Sequence, residues 1–401
     1  MKAKIGISTA RGVIKAPPSK SYAHRLIICA LLSEGRSIID NVDFSEDIKA
    51  TIDCATALNA KVTIEGSRVI IDGRPSESTA EVNFMCRESG STMRFFMGIA
   101  MGLGANSRFY GSETLRNRPF GVYEDICKSQ NISFEKKDDY ICVAGKLKSG
   151  TYEVAGNISS QFISGLLFAL PLLEGDSKIV LTGGVESRSY IDMTLQALRE
   201  FGINADWAKE NEIKILGSQK YQARECEVEG DYSNAAFLDA FNAMGGEVEV
   251  TGLNISSLQG DRVYKEHFEM LKKGKAEIDI SDCPDLGPIL FTVAAYNNGG
   301  VFTGTKRLAI KESNRGLVMC EELRKFGVET VMEENRIEIM KSKLCKPKEE
   351  ISGHNDHRIV MSMALLLSRF EGEIEGAQAV TKSYPGFFED IEKLGIEVHK
   401  S

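Results

Sequence analysis

Six stretches of this chain repeat one construction: a short polar start, an apolar helical run, a glycine-containing turn and a strand. The starts lie near Ser19, Ser89, Ser159, Asp231, Pro284 and Asn355, at intervals of 70, 70, 72, 53 and 71 residues. Four intervals near one length mark a repeat architecture, and such a period constrains a fold more than any local propensity does. The runs themselves are alike. Phe95-Phe96-Met97, Phe162-Ile163, Ala235-Ala236-Phe237-Leu238, Ile289-Leu290-Phe291 and Ile359-Val360-Met361 all follow polar starts. They are apolar nearly all round, which predicts helices buried on most faces. Strand-like segments such as 178–182 and 247–251 come next. Amphipathic helices then follow, over 45–58, 190–201, 261–271 and 311–326. The unit reads as buried helix, strand, amphipathic helix, then one or two strands. A chain of 401 residues is too long for one ordinary core, so six units suggest two domains of three units each. The short fourth interval predicts a unit from which a piece has been trimmed.

The polar starts carry charge where a buried helix begins. Pro17-Pro18-Ser19-Lys20-Ser21 is followed by His24-Arg25 and then by the apolar run 26–32. Bare charge is costly there, but free backbone N–H groups and the positive dipole end suit an anion. The basic residues near such starts are Lys20, Arg25, Arg87, Arg94, Arg118, Arg188, Lys311, Arg315, Arg358 and Lys382. If equivalent helices run parallel, their N-termini share a face, and two such faces would enclose a cleft rich in fork-shaped guanidinium groups. Formal net charge is −8, which argues against a nonspecific nucleic-acid binder and makes the positive charge local. Small, highly anionic substrates are the expectation. Asp285 and Glu312 are the acids best placed near lysines, and both proton transfer and structural ion pairing fit them. His354 and His357 read as capping or hydrogen-bonded residues rather than metal ligands.

Other chemistries lack support. The nine cysteines form no CxxC pair and read as reduced thiols of a cytoplasmic protein without a secretory signal. The longest apolar run, 166–173, is too short for a membrane span. No HExxH, GxxxxGK[ST] or strand-linked GxGxxG occurs, so no metal, nucleotide-phosphate loop or dinucleotide cofactor is expected. Gly165 and Gly287 predict close helix packing.

The ordered motifs resemble the EPSP synthase (3-phosphoshikimate 1-carboxyvinyltransferase) family over nearly the whole chain. They are Pro17-Pro18-Ser19-Lys20-Ser21, Ser89-Gly90-Ser91-Thr92-Met93-Arg94, Arg116-Asn117-Arg118-Pro119 and Ser159-Ser160-Gln161-Phe162. Ser187-Arg188-Ser189-Tyr190-Ile191-Asp192, Lys311-Glu312-Ser313-Asn314-Arg315, Asn355-Asp356-His357-Arg358 and Lys382-Ser383-Tyr384-Pro385-Gly386-Phe387 complete the set. Each is weak alone, and their order and number carry the match. The resemblance implies an inside-out α/β fold of two domains, each of three βαβαββ-type units, with the active site in the interdomain cleft. It implies one discontinuous domain of residues 1–15 and 230–401, with 16–229 inserted. The implied reaction adds the 5-hydroxyl of shikimate 3-phosphate to C2 of phosphoenolpyruvate and then eliminates phosphate, without metal or organic cofactor. By family position Lys20, Asp285 and Glu312 would be catalytic. Lys20, Gly90, Arg118, Gln161, Arg315, Arg358 and Lys382 would hold phosphoenolpyruvate. Ser21, Arg25, Ser159, Ser160, Gln161, Ser187, Tyr190, Asp285 and Lys311 would hold shikimate 3-phosphate. A monomer acting on these two small molecules, with no nucleic-acid or membrane partner, is the implied assembly.

Two positions depart from the family pattern. Glu88-Ser89-Gly90 stands where Asn-Ala-Gly or Asn-Ser-Gly is common, which puts an extra carboxylate beside the phosphoenolpyruvate subsite and bears on glyphosate, the family's inhibitor. Arg307 replaces a small polar residue four positions before Lys311, so no contact is carried over there. The sister family that uses UDP-N-acetylglucosamine generally has a reactive cysteine or aspartate before an Arg-Pro pair. Residues 111–115 contain neither, and Lys20-Ser21 replaces that family's Lys-Asn. A non-catalytic anion-binding repeat protein would need the arginines but not Lys20, Asp285 and Glu312 together.

Overall fold

The computed structural model describes residues 1–73 and 81–401. The chain forms two compact units, Pro18–Glu229 and the pair Met1–Pro17 with Gly230–Ser401. The six apolar runs are helices: Lys20–Leu32, Gly90–Leu103, Ser160–Ala169, Tyr232–Ala243, Gly287–Tyr296 and His357–Phe370. Ser19, Ser89, Ser159, Asp231 and Asp356 cap five of them, each side chain accepting from a backbone N–H two or three residues on. Such a cap contributes about 1 kcal/mol. The remaining one opens as a 3₁₀ turn, Pro284–Leu286, and becomes α-helical at Gly287. Proline supplies no N–H and tolerates only a first turn, which sets that start.

Around these helices the strands follow one plan. In Pro18–Glu229, strand Val82–Met85 leads through the helix Gly90–Leu103 to Ser107–Tyr110, its parallel neighbour. A parallel pair needs a long crossover, and the buried helix supplies it. The amphipathic helix Gly121–Gln130 follows, then the hairpin Ser133–Lys136 and Tyr140–Ala144, whose second strand pairs antiparallel with Ser107–Tyr110. The same order, with the hairpin's second strand inside, holds in four of the five four-stranded sheets, and in the fifth Lys2–Ile5 takes that inside place. Two of these sheets draw a strand from the far end of their own unit's sequence. Glu225–Glu227 pairs with Arg36–Asp40, and Lys2–Ile5 lies between Gly372–Glu375 and Val398–Lys400. The trimmed unit is the one that starts at Asp231. Its Arg11–Lys15 and Glu247–Thr251 pair in parallel, and among the described residues no hairpin joins them. The lost hairpin accounts for the short interval in the sequence.

Each unit has its own apolar core, built on its three buried helices. In Pro18–Glu229 the closest helix pair depends on glycine. A Cβ on Gly98 would collide with the backbone of Gly165, and one on Gly165 would reach within 2.7 Å of the Arg94 carbonyl and strike the Tyr123 hydroxyl. Interiors packed this closely leave no slack for an added methyl. Gly165→Ala should therefore lower stability by about 1–3 kcal/mol, read as a lower midpoint of urea unfolding; an unchanged midpoint would show that these helices can separate.

Candidate active site

In Pro18–Glu229 the functional side chains gather at the first turns of the three buried helices. Lys20, the first residue of its helix, donates to Asp47 Oδ2 at 2.7 Å. Asp47 sits in the first turn of Glu46–Ala57, a place where a carboxylate is favoured by the helix dipole. One turn on, Arg25 is 2% exposed. Its guanidinium donates to Thr194 Oγ1 at 2.8 Å, to the Ser21 carbonyl at 2.5 Å and to the Tyr190 carbonyl at 2.9 Å. It also lies over the rings of Phe95 and Tyr190. All these partners are neutral. Burial pulls its pKa down to about 10, yet it stays charged at neutral pH, so the cluster keeps a buried positive charge with no carboxylate among the described residues hydrogen-bonded to it.

The second and third helix starts adjoin each other. Gln161 accepts from Arg94 Nη1 at 2.5 Å and donates to Ser91 Oγ at 2.9 Å. Arg118 lies against Gly90, where a Cβ would sit 2.8 Å from its Nη1; glycine there lets the guanidinium approach the helix start. Arg118 Nε is buried without a partner. Ser159 and Ser160 are buried at the start of Ser160–Ala169, while Ser187 adopts φ 55°, a left-handed backbone that non-glycine residues seldom take. A hydroxyl chain braces the cluster: His24 Nδ1 to Thr51 at 2.7 Å, Thr51 to Thr92 at 2.7 Å, Thr92 to the cap Ser89 at 2.7 Å. Burial, helped by Lys20 and Arg25, holds His24 well below its ordinary pKa and hence neutral.

The other unit carries a charge-balanced cluster. Arg315, 1% exposed, donates Nε and Nη2 to Asp356 at 2.8 and 3.2 Å, Nη1 to Asp285 at 2.9 Å and Nη2 also to Glu312 at 2.5 Å. Asp285 in turn accepts from Lys311 at 3.0 Å and from Arg358 at 3.1 Å. Burial alone would raise the Asp285 carboxyl, but Arg358, Lys311 and Arg315 outweigh it and hold its pKa well below the usual carboxylate range. The Lys311 ammonium is pulled below its ordinary value by burial, with Arg307 and Arg315 adding to this and Asp285 opposing it. Nearby, burial and then the charge of Asp285 push the Asp261 carboxyl up to about 7. Lys382 donates to the Asn355 carbonyl at 2.6 Å.

Not every cation near a helix start belongs to these clusters. Arg87 pairs with Glu46 and Asp53, and Arg188 lies over Trp207, its Cζ 3.9 Å from the ring centre. His354 binds Glu322 rather than serving as a cap. Asp47, Asp261 and Asp356 were not singled out from the sequence. Asp47 reads there as an ordinary first-turn acid after the cap Ser45, and only its pairing with Lys20 reveals more. Asp285→Asn would leave Lys311, Arg315 and Arg358 short of a counter-charge, so stability should fall by about 3–5 kcal/mol. Because the native pKa is depressed, the Asp285 contribution is present above the unfolded aspartate range and lost as pH falls through it toward the native value. Thermal melts should therefore show less acid destabilisation in the variant, with inorganic phosphate restoring more stability than in the parent. Equal melts at all pH values would refute this.

A family model described as EPSP synthase (3-phosphoshikimate 1-carboxyvinyltransferase) matches residues 5–391. A Clostridium kluyveri 3-phosphoshikimate 1-carboxyvinyltransferase is 41% identical over 96% of both chains, and one from Clostridium perfringens strain 13 is 40% identical over 97% of both. Among solved structures, EPSP synthase from Acinetobacter baumannii superposes with TM-score 0.78 at 23% identity, covering all of both chains. The enolpyruvyl transferase NikO from Streptomyces tendae gives 0.77 at 12% identity, over 99% of this chain and 98% of its own. The structures share the fold at low identity, whereas the family model and the clostridial relatives match the sequence itself along nearly its whole length: the chain belongs to the EPSP synthase family.

Proposed function

We infer that this chain is an enzyme that transfers the enolpyruvyl group of phosphoenolpyruvate to the 5-hydroxyl of shikimate 3-phosphate, releasing inorganic phosphate. The observation that carries the reading is buried positive charge with neutral partners, in Arg25 above all. A phosphate is the natural complement to such a group. Both substrates bring one, and phosphoenolpyruvate adds a carboxylate.

Arg25 with Ser21, Ser159, Ser160, Gln161, Ser187 and Tyr190 would hold shikimate 3-phosphate, together with Asp285 and Lys311. Lys20, Gly90, Arg118, Gln161, Arg315, Arg358 and Lys382 would hold phosphoenolpyruvate. In the first step the acceptor hydroxyl oxygen bonds to C2, its proton leaves to a base, and C3 gains a proton to become a methyl group. In the second, the bond from C2 to the phosphate oxygen breaks and C3 returns a proton, restoring the double bond. Asp285 is assigned the hydroxyl proton, and Lys20 with Glu312 the proton at C3. A carboxylate held so far down is a weak base at rest. Substrate anions that draw Lys311, Arg315 and Arg358 toward themselves would raise its proton affinity when the hydroxyl is present. The same cations stabilise the departing phosphate.

Mixing the protein with phosphoenolpyruvate and shikimate 3-phosphate should release phosphate and form the enolpyruvyl ether. Lys20→Met and Glu312→Gln should each lower kcat by about 100-fold or more with unchanged far-ultraviolet circular dichroism. Release with UDP-N-acetylglucosamine as the acceptor, and none with shikimate 3-phosphate, would overturn the assignment.

A further inference from the structure

Outside the assigned residues, one buried acid stands out. Glu322 lies on the helix Arg315–Lys325 with its side chain 2% exposed. Its carboxylate accepts from His354 Nε2 at 2.8 Å, from the backbone N–H of Ser352 at 3.2 Å and from Lys325 Nζ at 2.9 Å. At the start of the same helix, Arg315 grips Asp356. The segment 352–356 is therefore fastened to one helix at two points seven residues apart, by Glu322 on one side and Arg315 on the other.

Between these fastenings the backbone is strained. His354 and Asn355 have φ of 48° and 52°, a left-handed conformation that costs a non-glycine residue about 1–3 kcal/mol, less for asparagine. Strain of this kind persists only where surrounding contacts over-determine it. The contacts here are the Glu322 carboxylate on His354 and Ser352, the Ser352 Oγ on the His354 N–H at 3.2 Å, and the Gly353 carbonyl on the Asp356 N–H at 2.8 Å. The turn they enforce presents the Asn355 carbonyl to Lys382 and the Asp356 carboxylate to both Arg315 and the Arg358 N–H.

We propose that Glu322 and His354 form a clamp that positions Lys382 and Arg315 for phosphoenolpyruvate by holding 352–356 in its left-handed turn. The proposal rests on the reading of Lys382 and Arg315 as phosphoenolpyruvate ligands. Neither clamp residue touches substrate; both act through the turn. Without the carboxylate, the two left-handed residues relax toward ordinary φ, and the Asn355 carbonyl and Asp356 carboxylate lose their aim.

His354→Ala should raise KM for phosphoenolpyruvate about tenfold, with KM for shikimate 3-phosphate within about twofold. His354→Gln, which places an amide nitrogen near the Nε2 position, should recover most of that loss. Combined with Lys382→Ala, His354→Ala should add little further, because both remove one arrangement. Equal rises in both KM values, no recovery with glutamine, or fully additive losses would overturn the clamp. A second measurement does not depend on turnover: in His354→Ala the amides of Ser352 and Asp356 should exchange hydrogen about tenfold faster than in the parent. Unchanged exchange also overturns the clamp. A parent protein that turns over no shikimate 3-phosphate instead overturns the functional reading and leaves the exchange result to decide the clamp.

Discussion

A guanidinium with 1% exposure is costly in a protein interior unless its charge and donors are answered, and Arg315 meets three carboxylates. Asp356 caps His357–Phe370 and also holds Arg315 at the first turn of Arg315–Lys325, so one carboxylate fixes two helix starts. Asp285 ties Arg315 to Lys311 and Arg358. Removing a partner from such a network costs far more than an exposed pair ever contributes. The geometry of this cluster is thus set by charge balance rather than by packing alone.

The other unit solves the same problem differently. Arg25 is buried among carbonyls, a hydroxyl and two aromatic faces. These satisfy its donors without neutralising it. Under the proposed function an anionic substrate would answer its charge, and the capped helix starts add dipoles of the same sign. One unit carries cations already paired with acids that a ligand can displace. The other carries a cation whose hydrogen-bond partners are neutral. Both conditions favour small, multiply charged substrates over a polymer.

Much of this was legible in the sequence because the signals were local and repeated. The period placed five helix starts within a residue or two of their caps, and the short interval located the missing hairpin after Glu247–Thr251. Pro284 was read as a helix start, but the α-helix waits until Gly287 because proline confines the first turn to 3₁₀ geometry. The cations were less legible. Arg25, Arg87 and Arg188 look equivalent as charges near helix starts, yet only Arg25 turns inward; Arg87 meets Glu46 and Asp53, and Arg188 meets Trp207. Pairings such as Lys20 with Asp47, or Glu322 with His354, join residues 27 and 32 positions apart. No local pattern reports such distances, since neither helical nor strand periodicity extends that far.

NikO shares this fold at 12% identity, so the likeness between the two structures is one of architecture. Under the proposed function, Asp285 would be both part of the scaffold and a reactant. Its three cations hold it as a weakly basic carboxylate and keep the buried charge compensated. Under the proposed function an incoming phosphate or carboxylate would compete for those same cations, and each one drawn away would strengthen Asp285 as a base. A neutral ligand would leave the balance undisturbed and the carboxylate inert. Under the proposed function, this ion-pair network would make proton abstraction conditional on an anion being bound, a form of selectivity that needs no additional residue.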